Sequence, residues 1–277
     1  MSALLKTVIF GLVATTLAAP APAPQAATSS VPAAAYTPAS PAPAPSPPTA
    51  DSQKALAELL KTKITAIDRA KELFVDKSTG LIKPKDALAQ QLIFNFNAAK
   101  PAQGEEGGSK AQANIASFPW LTGSDLSATV LFLGPCGMNT PHVHPRGNEF
   151  LTAVNNTLEF GMILENGLVA AGKGSAELTG TLDAFQGTLF PQGAIHYQFN
   201  PTCETTAAVA VLSDVDAGTG AVAQGFFGLE GDVVEATLGF TEPIDGAFVE
   251  ALRGKIPVSL AKGVEECLVK CKIPKKM

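Results

Sequence analysis

The sequence predicts an all-β domain, a sandwich or closed barrel, with one helix before it and helices after it. Between residues 114 and 200, short runs of β-branched and aromatic residues are separated by Gly, Pro and Asn, which is typical of short strands joined by turns. On either side of this region the apolar residues follow helical spacing instead. The composition fits a strand-rich, turn-rich domain, since 46% of the 277 residues are hydrophobic and 25 are glycine.

The first 50 residues are excluded from the predicted fold. Residues 1–18 hold one lysine, then an apolar run, then small residues, which is the pattern of a secretory signal peptide. Residues 19–50 are almost all Ala, Pro, Ser and Thr and have too few bulky apolar side chains to pack, so they predict an extended spacer. We therefore expect one folded domain over residues 51–277 in a secreted protein, extracellular or in the cell wall.

The charge of the chain argues against two kinds of partner. The formal net charge is -5, and Lys6 is the one charged residue before position 51. An acidic surface disfavours nucleic acids and anionic membranes. We therefore expect no nucleic-acid and no membrane partner, whereas the proline-rich spacer suits association with a cell wall.

The predicted elements follow the chain in order. Residues 52–74 predict one helix, whose apolar stripe would pack against the barrel or against a neighbouring subunit of a homo-oligomer. The predicted strands come next and lie in SATVLFLGP, NEFLTAVNN, TLEFGMILENG, GSAELTGT, GTLFPQG, AIHYQFN and AAVAVLSD. They place the barrel at about residues 90–240. Residues 243–272 predict closing helices, the second opened by Pro257 near its first turn.

All three histidines of the chain fall in two short motifs. His142 and His144 are one residue apart in PHVHPRGNEF, so on a strand they face the same side. His196, in FPQGAIHYQFN, can face them from another strand, and the turn PRGN can fold the Glu149 carboxylate back to the same point. Three neutral imidazoles and one carboxylate suit a divalent transition metal and leave coordination positions open. We therefore predict one metal site made by these four side chains.

The four cysteines fit a secreted protein, in which disulfides persist. Cys136 and Cys203 flank the histidine motifs, six residues before the first and seven after the last. If the motifs meet, these cysteines come into the same neighbourhood, so we predict a Cys136–Cys203 disulfide. The alternative for Cys136 is a metal thiolate. Cys267 and Cys271 share one face of a predicted helix and either pair locally or stay reduced.

The two histidine motifs resemble those of the cupin family. CGMNTPHVHPRGNE is similar to the first cupin motif, in which His142, His144 and Glu149 match metal ligands. FPQGAIHYQFN is similar to the second motif, with His196 at the ligand position. The flanking stretches LGPCGMNTPHVHPRGNEF and LSDVDAGTGAVAQGFF are most similar to germin-like proteins of the spherulin type found in fungi and slime moulds. The resemblance covers roughly residues 92–252.

This resemblance implies a fold, a metal and a class of activity. The fold is a single-domain cupin β-barrel, or jelly roll. The metal is manganese as Mn²⁺, with Fe²⁺ or Zn²⁺ as alternatives. The family includes extracellular oxalate oxidases and proteins with superoxide dismutase activity, so the implied small ligands are anions such as oxalate, or superoxide.

Two amides near the histidines are candidate catalytic residues. In germins with oxalate oxidase activity, asparagines beside the metal help to hold the substrate; Asn139 matches one of them, and aligning SFPWLTG puts Thr122 in place of the other. Gln198 shares a strand face with His196, so its amide can donate a hydrogen bond to a bound oxygen ligand. The alternatives are that Gln198 only fills the barrel and that Asn139 only caps a turn.

The stretch VNNTLEF predicts a modified hairpin turn. It contains the one acceptable N-glycosylation sequon of the chain, at Asn155, because Asn200 is followed by proline. Asn156 stands where the first cupin motif usually has glycine, and asparagine tolerates the left-handed turn conformation that glycine supplies. We therefore expect the hairpin to be kept and Asn155 to carry an N-glycan.

Three functions follow from these features. The first is a manganese oxidoreductase of the oxalate oxidase or superoxide dismutase kind. The second is a non-catalytic structural or storage protein of the cell wall or spore with a stabilising metal site. The third is a binding module whose metal fixes a small carboxylate without turnover. Because every histidine is committed to one cluster, a Ser-His-Asp or Cys-His triad would have no base.

Overall fold

The structure is a computed structural model that describes residues 49–239, 249, 251–252, 254–257 and 259–274. The predicted signal peptide and nearly all of the predicted spacer lie outside these residues, as does most of the first predicted closing helix, 244–254. The first described helix begins at Ala50, beside the predicted start of the domain. Within the described residues, no helix is both long and apolar enough to cross a membrane.

Two antiparallel sheets form the central barrel of the described chain. The strands are β1 (Gly108–Ala113), β2 (Ser127–Leu133), β3 (Gly137–Val143), β4 (Glu149–Ala153), β5 (Leu158–Ile163), β6 (Leu178–Leu182), β7 (Gly187–Phe190), β8 (Ile195–Phe199), β9 (Thr206–Leu212), β10 (Gly220–Ala221) and β11 (Leu260–Lys262). One sheet has the order β1-β2-β9-β4-β7 and the other β10-β3-β8-β5-β6, with β11 also paired to β3. This all-β jelly roll confirms the predicted fold class.

Helices lie before and after the barrel strands. They are α1 (Ala50–Lys61), α2 (Ala66–Phe74), α3 (Lys85–Leu92), α4 (Val222–Phe227), α5 (Gly231–Leu238) and α6 (Glu265–Lys270), with 3-10 turns at Phe96–Ala98 and Pro119–Leu121. Helices α4 and α5 lie within the range that the sequence assigns to the barrel. These two helices were not predicted from the sequence, and neither was strand β1, which lies before the first predicted strand.

The core lies between the two sheets. It is one cluster of buried apolar side chains to which both sheets contribute, including Leu131, Leu151 and Phe190 from the first and Leu158 and Leu182 from the second. Along β9 buried residues alternate with less buried ones, as expected for a strand with one face on the core. Burying each leucine stabilises the fold by about 1.5–3 kcal/mol relative to leaving it exposed.

The single helix predicted over residues 52–74 is wrong, because the chain forms α1 and α2 with a break between them. Thr65 caps α2 by accepting a hydrogen bond from the backbone N–H of Asp68 at 3.1 Å. The β-branched residues around the break also disfavour a continuous helix. Leu60 is fully buried but Ile64 is 94% exposed. Only part of the predicted apolar stripe is therefore covered.

The prediction that Pro257 opens a helix is also wrong. Residues 260–262 are extended and form β11 against residues 137–139 of β3. Helix α6 begins only at Glu265. The backbone of β3 offers hydrogen-bonding groups along this edge, and an extended segment can satisfy them whereas a helix cannot. Strand β11 also buries Leu260 and Ala261 against the sheet.

The predicted Cys136–Cys203 disulfide is wrong. Cys136 is bonded to Cys267 and Cys203 to Cys271, with Cα–Cα distances of 5.7 and 5.2 Å. The predicted partners do lie near one another, since the Cys136 N–H donates to the Thr202 carbonyl at 3.2 Å. However, the buried face of α6 packs at this place, so that Cys267 in the helix meets Cys136 and Cys271, directly after the helix, meets Cys203. A thiolate at Cys136 and a local Cys267–Cys271 pair are wrong as well, because no cysteine is free.

The hairpin between β4 and β5 keeps the left-handed turn. Asn156 has a φ of 54°, as expected for an asparagine in place of glycine. Asn155 is exposed, and its side-chain oxygen accepts a hydrogen bond from the backbone N–H of Ala207 at 2.6 Å. The side chain is therefore accessible, and the N-glycan on Asn155 stays a prediction.

Candidate metal centre

A β-bulge in β3 turns His142 and His144 toward the inside of the barrel. Asn139 pairs with Gln198 of β8 and His142 pairs with His196, so β3 advances three residues while β8 advances two. The extra residue in β3 reverses the side-chain alternation, and His142 then faces the same side as Asn139. Pro141 lies in this bulge, where the missing backbone donor costs no ladder hydrogen bond. His144 is the first residue after β3 and is also buried.

The remaining two side chains of the cluster come from the two different sheets. His196 lies on β8, next to β3. Glu149 is the first residue of β4 in the other sheet, where it pairs with Phe190 and Leu212. The ring of Phe190 stacks on that of His196 with centroids 4.3 Å apart and fixes one wall of the site. The cluster therefore bridges the two sheets.

The structure brings all four predicted ligands together. His142, His144, Glu149 and His196 are all buried, and their ligand atoms lie within 4.8 Å of one another. Among the described residues, these atoms form the one cluster of histidine and carboxylate groups with metal-site spacing. The two sequence motifs thus converge, although most of the barrel lies between them in the chain.

Backbone carbonyls fix the orientation of all three imidazoles. Nδ1 of His142 lies 2.8 Å from the Thr140 carbonyl, Nδ1 of His144 2.5 Å from that of Gly218, and Nδ1 of His196 2.9 Å from that of Ala194. A carbonyl can only accept, so each Nδ1 carries the proton. Nε2 of each neutral ring is then a lone-pair donor that points into the cluster, which is how protein metal sites hold histidine ligands.

Buried polar atoms at the centre of the cluster lack protein partners. Nε2 of His196 and Oε1 of Glu149 have no hydrogen bond within the described part of the chain. Nε2 of His144 lies 2.7 Å from Oε2 of Glu149. Two acceptors at that distance need a cation between them, either a proton or a metal ion. The residues therefore fit a metal ion with nitrogen and oxygen ligands.

The electrostatics of the cluster favour cation binding. Burial and the neighbouring His196 lower the pKa of His142 to about 3, so this ring stays neutral. Burial would raise the pKa of Glu149, but the imidazoles of His144 and His196, whose Nε2 atoms lie 2.7 and 3.5 Å from Oε2, outweigh it and lower the pKa to about 2. Burial likewise acts to lower the pKa of His144, yet the hydrogen bond to Glu149 raises it. A metal ion held by these residues would displace the proton that His144 and Glu149 share, and its binding would weaken as the pH falls.

The cluster opens into a cavity of about 50 Å³. Asn139 lines this cavity, and its amide nitrogen lies 3.5 Å from Nε2 of His142. The same nitrogen donates to Oε1 of Gln198 at 2.7 Å. Gln198 is fully buried and is not among the cavity-lining residues, and its own amide nitrogen has no partner among the described residues. Asn139 is thus placed to meet a ligand, while Gln198 orients Asn139.

Sequence reasoning missed several residues of the cavity wall. Lys110 and Gln112 lie on β1, Thr129 and Leu131 on β2, Ala210 on β9, and Thr219 just before β10. Their signal is weak, since β1 reads GSKAQA, without β-branched or aromatic residues. Thr122 does not line the cavity. Its hydroxyl donates to the Pro119 carbonyl at 2.7 Å, and the threonines that do line the cavity are Thr129 and Thr219.

Known proteins include relatives of this chain in sequence. A model of the family described as Cupin matches residues 94–244, more than half of the chain. The chain is 35% identical to Spherulin-1A of Physarum polycephalum over 184 residues, 65% of this chain and 70% of that protein. It is 29% identical to Germin-like protein 12-2 of Oryza sativa subsp. japonica over 175 residues, 62% of this chain and 75% of that protein.

Solved structures with the same fold include oxalate-processing enzymes. An oxalate oxidase in complex with the substrate analogue glycolate superposes with a TM-score of 0.51 at 21% identity, over 66% of this chain and 89% of that one. At this identity the likeness shows the fold alone. The family match over residues 94–244 and the 35% identity to Spherulin-1A show that the protein belongs to the cupin family, among the germin-like proteins of the spherulin type.

Proposed function

We propose that this protein is a secreted manganese-dependent oxidoreductase of the oxalate oxidase or superoxide dismutase kind. The observation that carries the proposal is the set of three oriented imidazoles and one buried carboxylate beside a small cavity. His142, His144, Glu149 and His196 would hold the ion. Bound manganese would supply a one-electron redox centre with open coordination positions for a small anion.

The chain's own residues would bind and orient the ligand. The Asn139 amide lies beside Nε2 of His142 and can donate a hydrogen bond to an oxygen of a bound carboxylate. Gln198 holds that amide in place and acts as a positioning residue. Leu131 and Ala210 line the cavity with apolar surface and limit the water around the ligand.

The two activities have different overall reactions. In the oxidase reaction, oxalate would lose two electrons and become two molecules of carbon dioxide. Dioxygen would take up these electrons and two protons to form hydrogen peroxide. In the dismutase reaction, one superoxide would be oxidised to dioxygen and another would be reduced, with two protons, to hydrogen peroxide. The solved oxalate oxidase with glycolate has the same fold as this protein. This likeness of fold is the only support that the comparison gives to the first reaction.

One observation favours a second candidate, a non-catalytic structural or storage protein. The cluster joins β3 and β8 of one sheet to β4 of the other, so a bound ion would tie the two sheets together. An ion that binds only the folded state stabilises it. In this function the metal site would act as a clamp in a protein of the cell wall or spore.

The surroundings of the protein are part of the proposal. The signal pattern of residues 1–18 and the proline-rich residues 19–50 support secretion and association with a cell wall. Assembly into a homo-oligomer rests on the partly uncovered apolar stripe of α1 and α2, where Ile64 and Ile67 are exposed. The expected small partner is an anion such as oxalate, or superoxide.

The proposal is tested on the natively secreted protein. Elemental analysis by mass spectrometry should find about one manganese ion per chain, as the single ligand cluster requires. Oxalate-dependent release of peroxide and loss of superoxide are then measured on the same sample, with His142→Ala as the metal-deficient control. Activity in the wild type that is lost in the control supports the oxidoreductase. Full metal with neither activity would favour the clamp.

A further inference from the structure

The wall of the cavity beside the cluster includes a lysine that is not one of the four predicted metal ligands. Lys110 and Gln112 are two residues apart on β1, so both side chains face the same side of the strand. They line the same cavity as Asn139, His144 and Glu149. The Lys110 side chain and the metal cluster therefore line one shared space.

Within the described ranges, the Lys110 ammonium is held by a hydrogen bond and has no carboxylate partner. Nζ donates to the hydroxyl of Ser259 at 2.6 Å. Among the described residues, no carboxylate lies within ion-pair distance of this ammonium. The acidic side chain that acts on it at longer range is Glu105, which opposes the lowering of the Lys110 pKa by burial. Partial burial of a cation without a carboxylate partner costs free energy, which an anionic ligand would offset.

The charges around the cavity add up to a site for a dianion. A divalent ion and the Glu149 carboxylate leave one positive charge, because the imidazoles are neutral. The Lys110 ammonium adds a second. A monoanion would neutralise only one of these charges, whereas a dianion would neutralise both.

The cavity also limits the length of the ligand. At roughly 10–15 Å³ for each water-sized group, a volume of about 50 Å³ has room for only a few such groups. We propose that Lys110 is the specificity-determining residue that makes this site prefer a small dicarboxylate dianion over a monocarboxylate. This inference rests on the metal and carboxylate chemistry of the proposed function and adds the group that selects the ligand.

The test compares two anions in matched variants of the metal-loaded protein. Lys110→Met removes the cavity charge, and Lys262→Met removes an equal charge from an exposed position on β11. Metal content is measured first and should be equal in both variants and the wild type. Calorimetric titration with oxalate should then show a Kd about 10- to 100-fold weaker in Lys110→Met. Formate should lose much less affinity, and Lys262→Met should match the wild type for both anions.

A second variant covers the case in which Lys110→Met does not fold. Ser259→Ala keeps the charge but removes the hydroxyl that holds the ammonium, so oxalate should weaken less than in Lys110→Met. If oxalate affinity is unchanged in both variants, or if oxalate and formate lose affinity equally, the proposed role of Lys110 is wrong. The proposed function is not affected by either result. If the metal-loaded wild type binds neither anion, both the role of Lys110 and the carboxylate chemistry of the proposed function are wrong.

Discussion

His196→Ala should remove metal from the protein almost as completely as His142→Ala, although 54 positions separate the two residues. Each substitution deletes one ligand of the same cluster. The loss of affinity should exceed the roughly 10- to 100-fold that the loss of an outer-shell partner costs. Because the ion would join two sheets, the melting temperature should fall as well. At a metal concentration 100-fold above Kd, the lost stabilisation is about 2.7 kcal/mol. Elemental analysis and thermal unfolding measure the two effects.

Chelator-treated wild type is the control for the stability effect. If a histidine variant has the same melting temperature as the metal-free wild type, it has lost only the stabilisation by the ion. If its melting temperature is lower still, the internal cavity left by the missing imidazole destabilises it further. Glu149→Gln should retain more metal than either histidine variant, since an amide oxygen can still coordinate. Its matched control is Glu159→Gln, which changes an exposed carboxylate on β5 and should keep all of the metal. Full metal in His196→Ala would mean that the two motifs do not share an ion.

Removing the Cys136–Cys267 disulfide should lower the free energy of unfolding by about 2–5 kcal/mol. This bond spans 131 residues and the Cys203–Cys271 bond spans 68. In the loop-entropy model a doubling of loop length adds only about 0.6 kcal/mol, so the two bonds should contribute almost equally. Denaturant unfolding of the paired serine variants, one pair for each bond, measures both contributions. Metal should still bind to both variants, because the four ligands lie outside the C-terminal segment.

A peptide map of the unreduced protein checks the connectivity before any variant is made. Trypsin cuts after Lys270, between the two cysteines of α6, so each disulfide gives a separate linked peptide. The Cys267 peptide should be linked to the one containing Cys136, and the Cys271 peptide to the one containing Cys203. A peptide that joins Cys136 to Cys203 would contradict the structure.

The metal cluster could be predicted from sequence because its signal is local. His142 and His144 are one residue apart, and a strand of any register places them on a common side. His196 could be added because the chain has no other histidine. What the pattern did not contain is the bulge at Pro141, which decides that the common side is the inside. Bulges depend on pairing with a neighbouring strand, here β8, and such pairing is not visible in the β3 sequence itself.

The missed parts of the site and the wrong disulfides have one physical cause, which is long-range packing. Strand β1 has a weak intrinsic preference for strand structure and is held by pairing along its whole length with β2. The position of Lys110 on a strand beside the cavity could therefore not be predicted from the sequence. The cysteine neighbourhoods were placed correctly, but the docking of α6 decides which thiols meet. Long-range pairing also explains why residues 260–262 form a strand against β3 and not the predicted helix.

The central claim is that His142, His144, Glu149 and His196 hold one divalent metal ion between the two sheets. The most direct measurement is an anomalous difference map from crystals of the natively secreted protein, with data collected at the manganese absorption edge. We expect one peak per chain, surrounded by Nε2 of the three histidines and the carboxylate of Glu149. Manganese-loaded crystals with no peak at this position, or with the ion bound elsewhere in the chain, would contradict it.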